Sequence, residues 1–309
     1  MHSPHPLSPN GDGANKRTLD QALDALRQRV QERAAHADKT PTSTVRPSVQ
    51  LPLWDELDRA IPNHIARSSL FAPVAKGRRK MHDGTALSSR SDVMLRYWGK
   101  QLDEPDCDVW MQALHEARQT PLGQPIPVKR ASFLRSIGRH TGKYEYDWLH
   151  DSLLRLSLGM LEVKAKKYAV GDVPKGEAPS KKIHRVMHLI DGFDFDEELG
   201  EYVLHIDPRM VKLFGNREFS LVDWDKRLKI KRGQDMAKAL QRLVATSSDT
   251  TQRYGLDWLK EKLQYSSPMR KFEKALLAAM TELERVEVIA GARIEVSTRG
   301  NEQAVWTRL

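Results

Sequence analysis

The spacing of apolar residues near the C-terminus predicts two successive helices. Leu256, Leu259 and Leu263 recur at intervals of three and four, as on the buried face of a short amphipathic helix. Ser267-Pro268 then predicts a helix start, with the serine as cap and the proline as first helical residue. The second helix has apolar residues at the same alternating intervals, namely Met269, Phe272, Leu276, Ala279 and Leu283.

Alternating apolar and polar residues after these helices predict a β-hairpin. Val286–Ile289 and Ala292–Val296 are predicted strands on either side of Gly291, and a turn at 300–301 leads to a last strand, Ala304–Trp306. Helix, tight turn, helix and hairpin is the order of a winged helix-turn-helix, whose second helix lies in the major groove of DNA. A helical hairpin capped by a small sheet is the alternative.

A similar order of elements occurs earlier in the chain. A shift of 125 residues places Trp258 on Phe133 and Val288 on Val163. Between those positions, a turn at 138–142 precedes another helix, and strands at 163–170 and 183–190 follow it. The predicted buried face of that helix contains Tyr146, Leu149, Leu153, Leu156 and Met160. We therefore predict an α+β protein in which a flexible N-terminal region, 1–55, precedes two tandem winged-helix domains, 56–216 and 217–309.

The composition restricts the classes of partner and of site. The chain has 50 Lys and Arg residues against 41 Asp and Glu residues and a pI near 9.5, which suits a polyanionic partner. Cys107 is the only cysteine, so internal disulfides and cysteine-based zinc sites are excluded. The sequence has no apolar run long enough to span a membrane and no apolar signal-peptide core. We therefore expect a soluble protein of a reducing compartment.

Basic and polar residues around the two second helices are the candidate DNA contacts. A winged helix reads bases through that helix and contacts phosphates through its turn and wing. For each single residue, a solvated surface position is the alternative. The candidates in the first domain are Arg139, His140, Lys143, Tyr144, Asp147, Lys164, Lys166 and Lys167, and those in the second are Ser267, Arg270, Lys271, Lys274, Arg293 and Arg299.

The sequence contains no recognisable catalytic constellation. Tyr144 and Tyr146 are candidate nucleophiles for DNA nicking, but that chemistry needs a metal held by closely spaced histidines, and no His-X-His occurs. His184 and His188 lie four apart on a predicted strand, too distant to chelate one ion. No Gly-x-x-x-x-Gly-Lys-Ser/Thr phosphate loop is present. We expect a binding protein without enzymatic activity, cofactor or metal.

A short peptide after a Thr/Ser/Pro-rich linker resembles the pentapeptide by which bacterial replication proteins bind the sliding clamp. The residues that correspond to the binding positions of that pentapeptide are Gln50, Leu51, Leu53 and Trp54. The commonest form has a small or acidic residue where this chain has Pro52, and a phenylalanine where it has Trp54. Such a peptide inserts two large apolar side chains into a pocket while the glutamine amide bonds at the rim. The alternative is that Leu53 and Trp54 fasten the linker onto the first domain.

The residues that follow extend the resemblance to one protein family. Residues 61–71, Ile-Pro-Asn-His-Ile-Ala-Arg-Ser-Ser-Leu-Phe, and 120–126, Thr-Pro-Leu-Gly-Gln-Pro-Ile, resemble TrfA-type plasmid replication initiators. The resemblance continues through 108–110 and 142–144, and more weakly through Trp224, Arg227 and the C-terminal region. It covers about residues 50–309 of the chain.

This resemblance implies an initiator that binds direct repeats (iterons) at a plasmid origin. It also implies help in melting the origin and recruitment of the host initiator, the replicative helicase and the sliding clamp. Double-stranded origin DNA is the principal expected partner, and single-stranded origin DNA and a second copy of the chain are further candidates. The expected location is the bacterial cytoplasm, with the plasmid. A winged-helix transcriptional repressor is the alternative, and a nonspecific architectural protein is a third.

Overall fold

The computed structural model of this protein describes residues 49–73, 79–89, 91–165 and 183–309. They belong to one compact unit, Ser48–Leu309. Most of the predicted flexible N-terminal region, and the tip of the first predicted hairpin with Lys166 and Lys167, lie outside the described residues.

The first part of the chain interleaves short strands with helices. Its helices are α1 (Asn63–Ala66), α2 (Glu104–Ala117), α3 (Arg130–Ser136) and α4 (Lys143–Leu158), followed by a 3₁₀ helix, Pro208–Arg217. Its strands are β1 (Asp58–Pro62), β2 (Met81–Leu87), β3 (Val93–Lys100), β4 (Ile126–Lys129), β5 (Met160–Ala165), β6 (Ile183–His188), β7 (Gly192–Asp196), β8 (Glu201–His205) and β9 (Phe219–Asp223).

The second part contains four helices and a small sheet. The helices are α5 (Trp224–Lys229), α6 (Asp235–Ala245), α7 (Leu256–Lys262) and α8 (Met269–Arg285). The strands are β10 (Thr251–Gly255), β11 (Ile289–Val296) and β12 (Glu302–Arg308). The predicted α+β class is therefore confirmed. Within the described part of the chain, no helix is both long and apolar enough to cross a membrane.

Four antiparallel sheets organise these strands. Their orders are β1-β9, β2-β3-β5-β6, β4-β8-β7 and β10-β12-β11. The predicted first hairpin is confirmed over its described residues, although its first strand begins at Met160, which pairs with His188. The order helix, strand, two helices, two strands occurs twice, in α2-β4-α3-α4-β5-β6 and in α6-β10-α7-α8-β11-β12. The pairing differs, because β4 pairs with β8 whereas β10 pairs with β12.

The described residues contain two hydrophobic cores. The first runs from Leu51 to Trp224, and the second from Ile230 to Trp306. The predicted domain boundary between 216 and 217 stays a prediction; β9, which follows it, pairs with β1. The helical periodicity is confirmed at the buried positions Leu149, Leu153 and Leu156 of α4 and Phe272, Leu276, Ala279 and Leu283 of α8, whereas Tyr146, Met160 and Met269 are half-buried.

Two local predictions at the ends of α8 need correction. Its first residue is Met269, so Pro268 rather than Ser267 occupies the cap position, without a side-chain cap bond. The predicted strand Val286–Ile289 is wrong over its first three residues, and Ile289 belongs with Ala292–Val296 to the single strand β11, which runs through Gly291. Of those three residues, Glu287 has a left-handed φ of 59°, and the Val288 amide donates to the Leu283 carbonyl at 2.9 Å, which closes the helix end.

Candidate nucleic-acid interface

Of the two predicted recognition helices, α4 and α8, it is α8 that has the more basic first turns. Leu256 and Leu259 fix α7 on the second core, and the buried face of α8 packs beside them. This packing turns Arg270, Lys271 and Lys274 to solvent on the first two turns of α8. Among the described residues no carboxylate forms an ion pair with these three, so their charges are available to an anion.

The hairpin after α8 adds two of the predicted basic residues. Arg299 is exposed in the turn between β11 and β12. Arg293 is exposed on β11, where its Nε donates to Oε2 of Glu295 at 2.8 Å and its Nη1 to the Gly291 carbonyl at 3.2 Å. This neighbouring carboxylate offsets part of the charge that Arg293 offers to a phosphate.

Arg253, which was not predicted as a DNA contact, lies in the same row of this sheet as Arg293. Arg253 pairs with Val305 across β10 and β12, and Val305 pairs with Arg293 across β12 and β11. Residues in one row of a sheet point to the same face, and both arginines are exposed. The sequence offered little signal for this strand, because the buried neighbour of Arg253 is the polar Gln252.

The α3–α4 pair has a less basic surface. Lys143, Tyr144 and Asp147 are exposed on the first turns of α4, with Tyr144 at 74% exposure, and His140 is exposed in the preceding turn. The exposed Asp147 and Asp151 give this face of α4 a mixed charge. It should therefore attract phosphates more weakly than the start of α8 does.

Arg139 is engaged by two neighbouring residues of α4. Its guanidinium lies 3.4 Å from the ring centroid of Trp148 and forms an ion pair with Glu145, leaving the side chain 18% exposed. A cation stacked on an aromatic ring and paired with a carboxylate holds the turn between α3 and α4 in place. These contacts favour a structural role for Arg139 over the predicted DNA contact.

Lys164 also has a carboxylate partner. Its Nζ lies 2.9 Å from Oε1 of Glu162, which in turn lies 2.6 Å from Nε2 of His184. The hydrogen bond from Lys164 is the main reason that the pKa of Glu162 lies below its ordinary value. A phosphate at this strand would compete with Glu162 for the lysine.

The predicted clamp-binding peptide is docked on the first core. Leu51 and Trp54 are buried in the first core, whereas Leu53 is 72% exposed. The Trp54 indole donates to Nδ1 of His115 at 3.1 Å and stacks on Phe214, and the Gln50 amide donates to the Arg118 carbonyl at 3.0 Å. These contacts favour the fastening interpretation, with Leu51 and Trp54 rather than Leu53 as anchors. Clamp binding itself stays a prediction.

The described residues provide no cluster of three or more His, Cys, Asp or Glu side chains suited to a metal ion. His188 Nδ1 lies 3.1 Å from the Gly159 carbonyl, whereas His184 pairs with Glu162. Cys107 is fully buried, and burial raises the pKa of its thiol to about 12, which leaves it protonated and unreactive at neutral pH.

Comparison with known proteins identifies relatives over most of this structure. The model of the TrfA protein family matches residues 27–257. The plasmid replication initiator protein TrfA of Escherichia coli is 26% identical over 180 residues, which are 57% of this chain and 44% of that protein, so the match spans less than half of the relative's length.

Two solved structures are similar at low identity, and the first of them shares the fold. A crystal structure of domains 2 and 3 of RctB has a TM-score of 0.50 and 13% identity, covering 77% of this chain and 94% of that one. A second RctB structure, of domains 2-3, has a TM-score of 0.49 and 14% identity, covering 80% and 97%. Because the family match covers well over half of the residues, the chain belongs to the TrfA protein family.

Proposed function

We propose that this protein initiates plasmid replication by binding direct repeats in the origin. Membership of the TrfA family and the similarity to a plasmid replication initiator support the role. The observation that carries DNA binding is the exposed triad Arg270, Lys271 and Lys274 at the start of α8, which no carboxylate among the described residues neutralises. Cationic side chains that replace condensed counterions on phosphates supply much of the affinity of such proteins for DNA.

The order of helices and strands around α8 supports the interpretation of the second domain as a winged helix. Its order α6-β10-α7-α8-β11-β12 and its sheet order β10-β12-β11 are those expected for three helices with a three-stranded wing. In that arrangement α8 enters the major groove, and the β11–β12 turn with Arg299 approaches the adjacent phosphates. The first domain supplies a second contact through α4, although β4 there pairs outside the hairpin.

A triple alanine variant at Arg270, Lys271 and Lys274 tests DNA binding by α8. Its affinity for an origin duplex should fall, and the plot of log affinity against log salt should become shallower by about 1 for each lost phosphate contact. The control variant replaces three lysines with alanine, namely Lys100, Lys212 and Lys229. It removes three positive charges, as the α8 variant does, but from positions outside α3–α4 and α7–α8. The control should keep both the footprint and the salt slope.

An unchanged footprint and salt slope in the α8 variant would remove α8 from the interface. Footprinting of the unaltered protein on its own plasmid also separates the proposal from the repressor alternative. Evenly spaced protection over direct repeats supports an initiator, whereas a single inverted repeat beside a promoter supports a dimeric repressor.

The proposal assigns the protein no enzymatic activity of its own. Melting of the origin, recruitment of the host initiator, helicase and clamp, and self-association are then binding events. The pure protein with magnesium should neither nick origin DNA nor hydrolyse ATP. Nicking that disappears in a Tyr144→Phe variant, which loses only an exposed hydroxyl, would contradict this assignment.

A further inference from the structure

Four carboxylates surround the start of α2 and face two different parts of the molecule. Asp103 caps the helix, and Glu104, Asp106 and Asp108 follow within its first five residues. Glu104, Asp106 and Asp108 are all buried. Buried carboxylates persist only where cations and hydrogen bonds compensate their desolvation, so their partners show what α2 holds together.

Asp106 binds the first recognition helix. Its Oδ1 accepts hydrogen bonds from the Ser152 hydroxyl at 2.6 Å and from Nη2 of Arg155 at 2.8 Å, both on α4. Arg79 approaches its other oxygen at 2.8 Å. Burial alone would raise the pKa of Asp106, but the bonds and charge of Arg155, together with Arg79 and Ser152, lower it below its ordinary value. Asp106 is therefore ionised, and it ties α4 to α2.

Glu104 and Asp108 bind the second part of the chain. Arg227 of α5 is fully buried and bridges both, with Nε 2.6 Å from Asp108 Oδ1 and Nη2 2.9 Å from Glu104 Oε2. Arg242 of α6 also pairs with Glu104 and donates to the Phe71 carbonyl at 2.8 Å. Lys238 of α6 completes the set, with Nζ 2.5 Å from Asp108 Oδ2.

Helix α6 in turn supports the second recognition helix. Leu240 and Leu243 of α6 belong to the same core as Phe272 and Leu276 of α8, and the two helices pack directly on each other. The two recognition helices are thus joined by one chain of contacts, α4–α2–α6–α8. Its central step is the set of ion pairs that Glu104 and Asp108 form with Lys238 and Arg242 of α6 and with Arg227 of α5, termed here the α2 ion network. Arg227 also reaches α6 directly, because its Nη1 donates to the Lys238 carbonyl at 3.1 Å.

We propose that the α2 ion network is a positioning device that fixes the distance and angle between α4 and α8, and that it thereby selects DNA sites by the spacing of the segments bound by the two domains. This inference rests on the proposed function. The planar guanidinium of Arg227 can bridge two carboxylates only in a narrow range of geometries, and lysine cannot reproduce that fork. Another polar contact between the two cores, that of Lys262 Nζ with the Ala66 carbonyl at 3.3 Å, is a single hydrogen bond, which constrains the geometry less than a bridged guanidinium does.

The test measures affinity against spacing. Duplexes carrying the footprinted repeat are altered by inserting or deleting base pairs between the segments protected by the two domains. One inserted pair moves one segment by about 3.4 Å and about a tenth of a turn, which should lower the affinity of the unaltered protein by about tenfold or more. In an Arg227→Lys variant this spacing penalty should shrink to about twofold, because one carboxylate loses its bond to residue 227.

A matched control separates positioning from stability. Arg59 is also buried, but its hydrogen bonds go to Gln112, Glu56 and Asp58, and its guanidinium lies 4.8 Å from the ring centroid of Trp224, which belongs to the first core. Arg59→Lys should lower the melting temperature and keep the full spacing penalty. Lys238→Met, which removes one partially exposed ammonium, should reduce the penalty less than Arg227→Lys and serves if the latter does not fold. An unchanged penalty in both network variants would overturn the inference.

A measurement without DNA distinguishes failure of this inference from failure of the proposed function. Spin labels at Tyr144→Cys and Lys271→Cys report the distance between α4 and α8, since the native Cys107 is buried. The distance distribution should be narrow in the otherwise unaltered chain and broaden with Arg227→Lys but not with Arg59→Lys. Equal widths in all three proteins would refute a positioning role, whether or not the protein binds direct repeats.

Discussion

His115 shows how one buried side chain fastens the Gln50–Trp54 peptide. Its Nδ1 accepts the Trp54 indole N–H, and its Nε2 lies 3.0 Å from Oε2 of Glu56. A ring that accepts at Nδ1 and donates at Nε2 is neutral. Burial, assisted by the charge of Arg59, lowers the pKa of His115 to about 4, which matches that tautomer.

The protein should therefore lose stability in mild acid. The unfolded His115 takes up its proton with an ordinary pKa of about 6.5. Between pH 6.5 and 4 the unfolded state binds more protons, so the contribution of His115 is fully present above pH 6.5 and declines as the pH falls towards 4. The decline amounts to at most about 3 kcal/mol of unfolding free energy.

Denaturant titrations at a series of pH values check this prediction. The unfolding free energy of a His115→Gln variant is subtracted from that of the native protein at each pH. This subtraction removes the contribution of the carboxylates, which titrate in both proteins. The native protein should lose more stability than the variant between pH 6.5 and 4. Parallel pH profiles would show that His115 is not the responsible group.

At the scale of elements, the Gln50–Trp54 peptide should behave as an anchor. Trp54→Ala removes a buried ring together with its bond to His115, so it should cost about 3–5 kcal/mol of stability. Leu53→Ala changes an exposed side chain and should alter stability by less than about 0.5 kcal/mol. Calorimetry of the two variants measures the difference.

A clamp titration beside the calorimetry addresses the other interpretation of this peptide. A clamp would have to draw Leu51 and Trp54 out of the first core, and that cost weakens binding. Micromolar binding that Leu53→Ala abolishes, without a change in melting temperature, would favour a clamp ligand. No binding by the native protein, together with a destabilised Trp54→Ala variant, would favour the anchor.

Local periodicity predicted the helices well, because their buried faces repeat along the sequence. The positions of α4 and α8 follow from leucines and a phenylalanine at intervals of three and four, with Phe272, Leu276 and Leu283 all buried. The end of α8 escaped prediction because Val286 and Val288 alternate as in a strand, yet both enter the core from a helix-closing turn at Glu287. Periodicity does not report a left-handed residue that is not glycine.

The functional residues were less predictable, because their partners are remote in sequence. Arg139 looks like any basic turn residue until Trp148 and Glu145 are placed beside it. Glu104 and Arg242 are separated by 138 positions, and each alone resembles a solvated charge. The α8 triad was accessible to prediction, since an amphipathic helix determines which residues it exposes.

At the scale of the whole molecule, the α2 ion network should make the two cores unfold together. Arg227→Met removes the bridging guanidinium and leaves Glu104 to Arg242 and Asp108 to Lys238. Breaking a buried ion pair costs roughly 3–5 kcal/mol, and the remaining cations should keep the loss near the lower end. The loss falls between the cores rather than within either one, so it should weaken their coupling.

Hydrogen exchange gives the most direct measurement of this coupling. In the native protein the most protected amides of α4 and α8 should exchange with similar opening free energies, because both need the same global event. In Arg227→Met the two sets should separate, and calorimetry should resolve two transitions. Arg59→Met, a buried arginine change inside the first core, should lower the melting temperature while the α4 and α8 amides stay together. Coincident exchange in Arg227→Met would mean that other contacts, and not the bridge formed by Arg227, join the two cores.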